Sequence, residues 1–547
     1  MSHVITGACC NDAACVAVCP VNCIHPAPGT AEFATAEILY VDPRTCIDCG
    51  ACVEVCPVDA VGPDYRLAPA RAARYRDLSA AFFADYTYDQ PGFLDPVPAV
   101  LPGRHLSVGV VGSGPAAAYA VEALLEACPT VEVHVYERLV TPWGLVRYGV
   151  APDHQDTKNV TRGFERIMDS DQVRVHLNVE VGTHVSHDEL MQHHHAVLYA
   201  VGASQDRSLG VPGEDLANCH SAREFVAWYN GHPEAAGLNV DLTHRRAVVV
   251  GNGNVALDVA RVLAMDIDAL ACSDIADHAL AALRRSEIEE IVVLGRRGPA
   301  EAAYTTPELL ALADTPGVDL VVELPTDPPG PIRTTTARVK AEITAELSNR
   351  PHSGSRRVVL RYLTSPVEIL GADSVHGIRV VGNELVVDHE GTVRARATQE
   401  VDEVECGLVL RAVGYRGAPQ DGLPFDAARG VLPHRAGRLM DGEREVTGVY
   451  TAGWIKRGST GVIGTNRGCA QETVASLLGD FAAGRLPNPG ATTAELESLL
   501  AQRQPLAVTL DGWHRLDVFE RTGGRRQARP RVKVVDAAKM ASLATAH

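Results

Sequence analysis

Nine of the chain's 14 cysteines lie between Cys9 and Cys56. The segment Cys46-Ile-Asp-Cys49-Gly-Ala-Cys52-Val-Glu-Val-Cys56-Pro57 has the spacing C-x2-C-x2-C-x3-C-P. Three thiolates at that spacing wrap one face of an iron–sulfur cubane, and the fourth, followed by proline, turns away to a second cluster. Zinc rarely takes four cysteines so close in one run. A disulfide framework needs an oxidising compartment. The start, Met1-Ser2-His3-Val4, lacks the basic-then-apolar layout of an export leader, so a cytoplasmic protein is expected.

Counting back from Cys19-Pro20 gives Cys15, Asp12 and Cys9, the same run with Asp in place of its second Cys. The crossed-ligand pattern assigns Cys19, Cys46, Cys49 and Cys52 to one [4Fe–4S] cluster, and Cys9, Cys15 and Cys56 to the other. The fourth corner of that second cluster is either empty, leaving [3Fe–4S], or filled by Asp12. A carboxylate is the harder ligand and would hold iron more weakly. Asp12 also reads as a solvated turn residue beside Asn11. Cys10 and Cys23 fall outside both sets, with Cys23 a packed thiol near a cluster. Cys128, Cys219, Cys272, Cys406 and Cys469, scattered through the rest, read as ordinary buried or partly buried thiols. Residues 1–62 resemble the two-cluster bacterial ferredoxins of the seven- or eight-iron type, an α+β module.

Two glycine turns suit dinucleotides. The strand Leu106–Val111 runs into Gly112-Ser-Gly114-Pro115-Ala116-Ala117, a G-x-G-x-x-A turn opening an Ala-rich helix, and Glu137 ends the next strand. Small residues let the backbone approach a pyrophosphate at the helix N-terminus, and the terminal acid accepts ribose hydroxyls. The second turn is Gly251-Asn-Gly253-Asn254-Val255-Ala256. Its next strand ends not in an acid but in Arg296-Arg297. Two guanidiniums there suit a 2′-phosphate, so NADP(H) is expected rather than NAD. Two dinucleotide sites in one chain imply FAD beside NADP, since a flavin takes a hydride and releases single electrons.

The elements that must position these groups follow from length and pattern. A chain of 547 residues is too long for one core and divides into about three domains. Residues 63–104 read as a linker with a short helix near 71–83. Residues 105–204 and 245–300 are each a βαβ opening. The formal charge of −18 argues against nucleic acid, and no apolar run of about 18 residues predicts a membrane span. The triple His193-His194-His195 reads as a surface feature rather than a metal site.

From about residue 107 onward the chain resembles the adrenodoxin reductase family of ferredoxin–NADP reductases. The stretches that carry this are Pro142-Trp-Gly-Leu-Val-Arg-Tyr-Gly-Val-Ala-Pro-Asp-His154, Gly251–Asp258, Gly295–Pro299 and Ala452-Gly-Trp-Ile-Lys-Arg-Gly458. Residues 325–354, Pro- and Thr-rich, match less well. With the cysteine block in front, the whole resembles the actinobacterial fused ferredoxin/ferredoxin–NADP reductases. That resemblance implies an α/β fold in which an NADP-binding unit, 205–410, is inserted into an FAD-binding unit, 105–204 plus 411–547. The crossovers would be Leu198–Gly202 and Leu410–Gly414. It places Leu145, Gly453, Trp454, Gly461, Val462 and Ile463 along the flavin, with Trp454 covering the ring. His154 and Asp258 would assist proton movement, and Glu308 would lie near the nicotinamide. It implies electron flow between NADPH, FAD, the clusters and a ferredoxin or another one-electron acceptor protein. A reductase module of a larger synthase or dehydrogenase complex, and a redox sensor, are the alternative readings.

Overall fold

The computed structural model describes residues 3–88, 105–324, 332, 334–352, 356–389 and 392–546. Much of the expected linker, from residue 89 to 104, lies outside the described residues, as does part of the Pro- and Thr-rich stretch at 325–354. The fold is α/β behind an N-terminal α+β module.

The N-terminal module closes on itself. Strand His3–Ile5 pairs antiparallel with Val61–Pro63, and Ile24–His25 with Tyr40–Val41. Two short helices, Ala14–Ala17 and Ala51–Val55, each carry one cysteine of the two runs. The helix expected near 71–83 spans Pro69–Asp85, with proline in its first turn. It is a docked element rather than a spacer. Tyr75, Leu78 and Phe83 are buried, and Arg74 pairs with Glu346 on the helix Thr335–Leu347. The cysteine module likewise has no core of its own: Ile5, Cys10, Val16 and Val61 are continuous with Tyr119, Val121 and Leu124 of the next unit.

Two sheets follow, the first carrying two antiparallel strands, His434–Arg435 and Arg438–Asp441, at one edge. The first has seven strands, with Ala196–Tyr199, Leu106–Val111, Val131–Glu137 and Val173–Leu177 side by side and Arg444–Thr451 joining Ala196–Tyr199 in parallel. The second has six strands, all parallel, with Leu408–Arg411 beside Arg246–Val250 and Glu290–Leu294. The central strands of the second sheet are nearly uninterrupted Val, Ile and Leu, the composition of a parallel sheet covered on both faces. Past the two crossovers the chain forms a two-stranded ribbon, Gln205–Asp206 against Tyr415–Arg416.

Two expectations fail. His194 is fully buried, not at the surface: its ring bonds Ser107 Oγ and Tyr136 Oη, both at 2.8 Å. Beneath the sheet, a polar network of this kind satisfies groups that water cannot reach. Cys272 is exposed, whereas Cys128, Cys219 and Cys406 are buried and Cys469 is partly so. No helix among the described residues is long and apolar enough to cross a membrane.

Candidate functional site

The two cysteine loops share one backbone shape. Asn11 and Ala13 take φ of 57° and 62°, as Asp48 and Gly50 take 54° and 76°, before each short helix. Residue for residue, Asp12 stands where Cys49 stands. Cys19 lines a cavity together with Cys46, Cys49 and Cys52, and Cys23 lies beside them. On the other side of the module, burial pushes the Cys9 thiol up to about 11, with Cys56 and Asp12 close enough to add to the effect. Cys15 is raised by burial too, and next by Cys9, Asp12 and Cys56. Thiols crowded this way resist ionising beside one another, which fits ligands whose charge a metal offsets. Cys10 belongs to neither group.

The two glycine turns are built alike. Gly112 N donates to Tyr136 O (2.8 Å) and Ala200 N to Val111 O (2.8 Å); Gly251 N donates to Leu294 O (2.9 Å) and Ala412 N to Val250 O (2.7 Å). Gly112 (φ 103°) and Gly251 (φ 116°) lie in a region that side-chain-bearing residues rarely adopt. A Cβ on Gly112 would meet Ala200 O at 2.6 Å, and one on Gly251 would strike Ala412 O. The second glycines face open space instead: a Cβ on Gly114 meets nothing within 4 Å, and one on Gly253 only Ala303 at 3.9 Å. That clearance above a helix N-terminus, at Pro115 and at Asn254, fits a pyrophosphate.

Around the first turn, Glu137 is buried and accepts from Ser113 N (3.2 Å), Ser113 Oγ (2.7 Å) and Leu139 N (3.0 Å). Burial raises its carboxyl. Leu145 begins a helical turn yet is 43% exposed, an apolar side chain fit to be covered by a ligand. Gly453 backs onto Ala116, and Trp454 stacks on Tyr415 with its Nε1 donating to Thr460 O (3.0 Å). Val462 N donates to Thr465 Oγ1 (3.1 Å) at the head of the helix Thr465–Ala482, with Gly461 and Ile463 on either side. Around the second turn, Val255 follows Asn254 on the helix, and Asn254 Oδ1 accepts from Thr305 N (2.7 Å). Arg296 is exposed and Arg297 half-buried. Neither guanidinium has an acidic partner among the described residues.

Between the two units the structure gathers His154, Asp258 and Glu308. Their ligand atoms approach to 3.9 Å for His154–Asp258 and 4.0 Å for His154–Glu308. The centre of the group is a residue the sequence did not single out. Arg261, 2% exposed, donates to Asp153 (2.8 Å) and Asp258 (2.6 Å) and reaches Glu308 at 3.5 Å. Burial, then the neighbouring Asp258, pushes the Glu308 carboxyl up to about 8, against the pull of Arg261. Burial and then Arg261 hold the His154 imidazole down, in its neutral form. Arg261 lies three residues after Asp258 on one helix, a spacing that would have revealed the pair.

The N-terminal module touches both units. Gly464 N donates to Cys10 O (2.6 Å). Glu37 accepts from Thr306 N (2.8 Å) and pairs with the buried Lys340 (2.9 Å).

Comparison with known proteins agrees with this layout. Residues 8–60 match the 4Fe-4S dicluster domain, and residues 106–290 the pyridine nucleotide-disulphide oxidoreductase family. A probable ferredoxin/ferredoxin–NADP reductase of Mycobacterium tuberculosis is 46% identical over 569 aligned residues, covering 100% of this chain and 95% of its own. Its Mycobacterium leprae counterpart is 46% identical, covering 100% and 98%. The structure of Mycobacterium tuberculosis FprA in complex with NADPH has a TM-score of 0.76 at 43% identity, covering 81% of this chain and all of its own. At that identity along its whole length, the chain belongs to the ferredoxin/ferredoxin–NADP reductase family.

Proposed function

We propose that the protein is an NADPH-dependent oxidoreductase that moves electrons between NADPH, FAD and its iron–sulfur clusters to a one-electron acceptor such as a ferredoxin. FAD, when bound, supplies the exchange between a hydride and single electrons. The seven-stranded sheet would be the FAD unit and the six-stranded sheet the NADP unit, with 205–410 inserted into the former. Gly112, Gly114 and Glu137 would hold the FAD pyrophosphate and ribose, and the turn at Gly461–Ile463 the ring end. Gly251, Gly253 and Arg296–Arg297 would hold NADPH by its pyrophosphate and 2′-phosphate. Cys19, Cys46, Cys49 and Cys52 would ligate a [4Fe–4S] cluster. Cys9, Cys15 and Cys56 would ligate the second, [3Fe–4S] with its fourth corner empty or [4Fe–4S] with that corner filled by Asp12.

The residues between the two sheets have positioning and proton-holding work. Arg261 fixes Asp153 and Asp258, so the neutral His154 and the protonated Glu308 keep a set direction. Trp454, stacked on Tyr415, would cover the flavin ring until nicotinamide displaces it. The observation that carries the reading is the bond from Gly464 to Cys10, because it sets a cluster-binding loop directly on the turn assigned to the flavin.

Anaerobic titration with NADPH, followed by absorbance of the flavin and paramagnetic resonance of the clusters, tests this. Flavin and cluster signals should both respond to stoichiometric NADPH and poorly to NADH. Flavin reduction with silent clusters would sink the proposed path.

A further inference from the structure

We propose that Arg467 is a positioning residue that holds the Asp12 carboxylate against the reductase, leaving the neighbouring cluster site to three thiolates. This rests on the assignment of Cys9, Cys15 and Cys56 as cluster ligands. The loop backbone places Asp12 where its counterpart Cys49 would ligate, yet one carboxylate oxygen is hydrogen-bonded within the loop and the other faces Arg467. Oδ1 accepts from Ala14 N at 3.2 Å, and Oδ2 lies 3.6 Å from Arg467 Nη1. The same Nη1 donates to the Asp12 carbonyl at 3.2 Å.

Arg467 is itself held in place. Its Nη2 donates to both oxygens of Glu122 (3.0 and 2.9 Å), and its guanidinium sits 5.4 Å from the centre of the Tyr119 ring. It lies in the first turn of the helix Thr465–Ala482. That helix starts just after Gly464, where even a Cβ would collide with the Asn11 and Asp12 backbone. Docking of the cysteine module therefore brings the guanidinium to the carboxylate. Cys49, the matching residue of the other loop, is exposed. The reductase unit, and not the cysteine module alone, then decides how many irons this site keeps. Freed from Arg467, the carboxylate can swing back to the corner. A reduced three-iron cluster plus one ferrous ion gives a four-iron cluster with electrons balanced, the incoming iron exchanging bound water for three cluster sulfides and a carboxylate oxygen.

The test uses the full chain, reconstituted anaerobically with sulfide, dithionite and excess ferrous iron. Iron per chain and the paramagnetic resonance of the reoxidised protein are read. Wild type should hold about seven irons, with a persistent three-iron signal. Arg467→Ala should rise to about eight and lose that signal, and Arg467→Lys should restore the wild-type pattern. Should Arg467→Ala fold poorly, Asp12→Ala decides: its three-iron signal should equal that of wild type. A wild type that takes about eight irons, with one lost in Asp12→Ala, overturns the proposal. A wild type holding only about four irons overturns the ligand assignment beneath it.

Discussion

The two nucleotide turns share every backbone contact described at their first glycine but end their second strands oppositely. One closes on a buried Glu137 held by three donors, the other on the exposed Arg296 and the half-buried Arg297. The comparison separates two jobs. In the proposed reading, clearance for a pyrophosphate would come from glycine and a tight strand crossover, and choice of dinucleotide from one or two side chains at a strand end.

The sharpest way to break the likeness is to fill one turn at a time. Gly112→Val would drive a side chain into Ala200 O at a left-handed φ. It should cost ~3 kcal/mol or more, leaving protein purified without flavin. Gly251→Val should abolish flavin reduction by NADPH while the visible spectrum keeps its flavin bands. Loss of flavin from both variants would show that the turns are not independent.

A smaller effect tests the strand ends. Replacing Arg296 and Arg297 by Ala should raise the KM for NADPH on the order of 100-fold, the equivalent of ~3 kcal/mol of charged hydrogen bonding. The KM for NADH should stay within about twofold of wild type. Equal losses for both would assign the pair a structural role. Glu137→Gln keeps the shape and removes the charge. Equilibrium dialysis should show flavin affinity about tenfold weaker.

An effect on stability rather than on cofactor binding lies between the two units. Because burial raises the Glu308 pKa from 4.5 to about 8, the folded protein binds a proton there that the unfolded chain has released. Stability from this group is therefore greatest below pH 4.5 and falls as pH rises toward 8. Glu308→Gln should flatten that part of the urea-midpoint profile. An unchanged slope would mean that Arg261 keeps Glu308 ionised.

Both turns were legible in the sequence because close approach demands small residues at a fixed spacing. The cysteine runs were legible because cluster geometry demands theirs. The register of Asp12 followed from counting, and the matched loop backbones agree with it. What the sequence hid were partners. Periodicity reports local conformation, so it found a helix near 71–83 but not its docking against Thr335–Leu347. Arg467 sits in an unremarkable helical position and its carboxylates arrive from distant segments, as Asp153 does for Arg261, whose other partner Asp258 lies on its own helix. His194 was misplaced for the same reason: a run of three polar residues looks wet until Ser107 and Tyr136 are seen beside it.

The ribbon of Gln205–Asp206 and Tyr415–Arg416 carries both chain passages between the two sheets. Glu37 makes a further connection away from that ribbon. It grips Thr306 and Lys340 of one unit, while its own module is fastened to the other at Gly464. The N-terminal module is thus a second tie between the two sheets, beside the ribbon, as well as the carrier of the clustered cysteines.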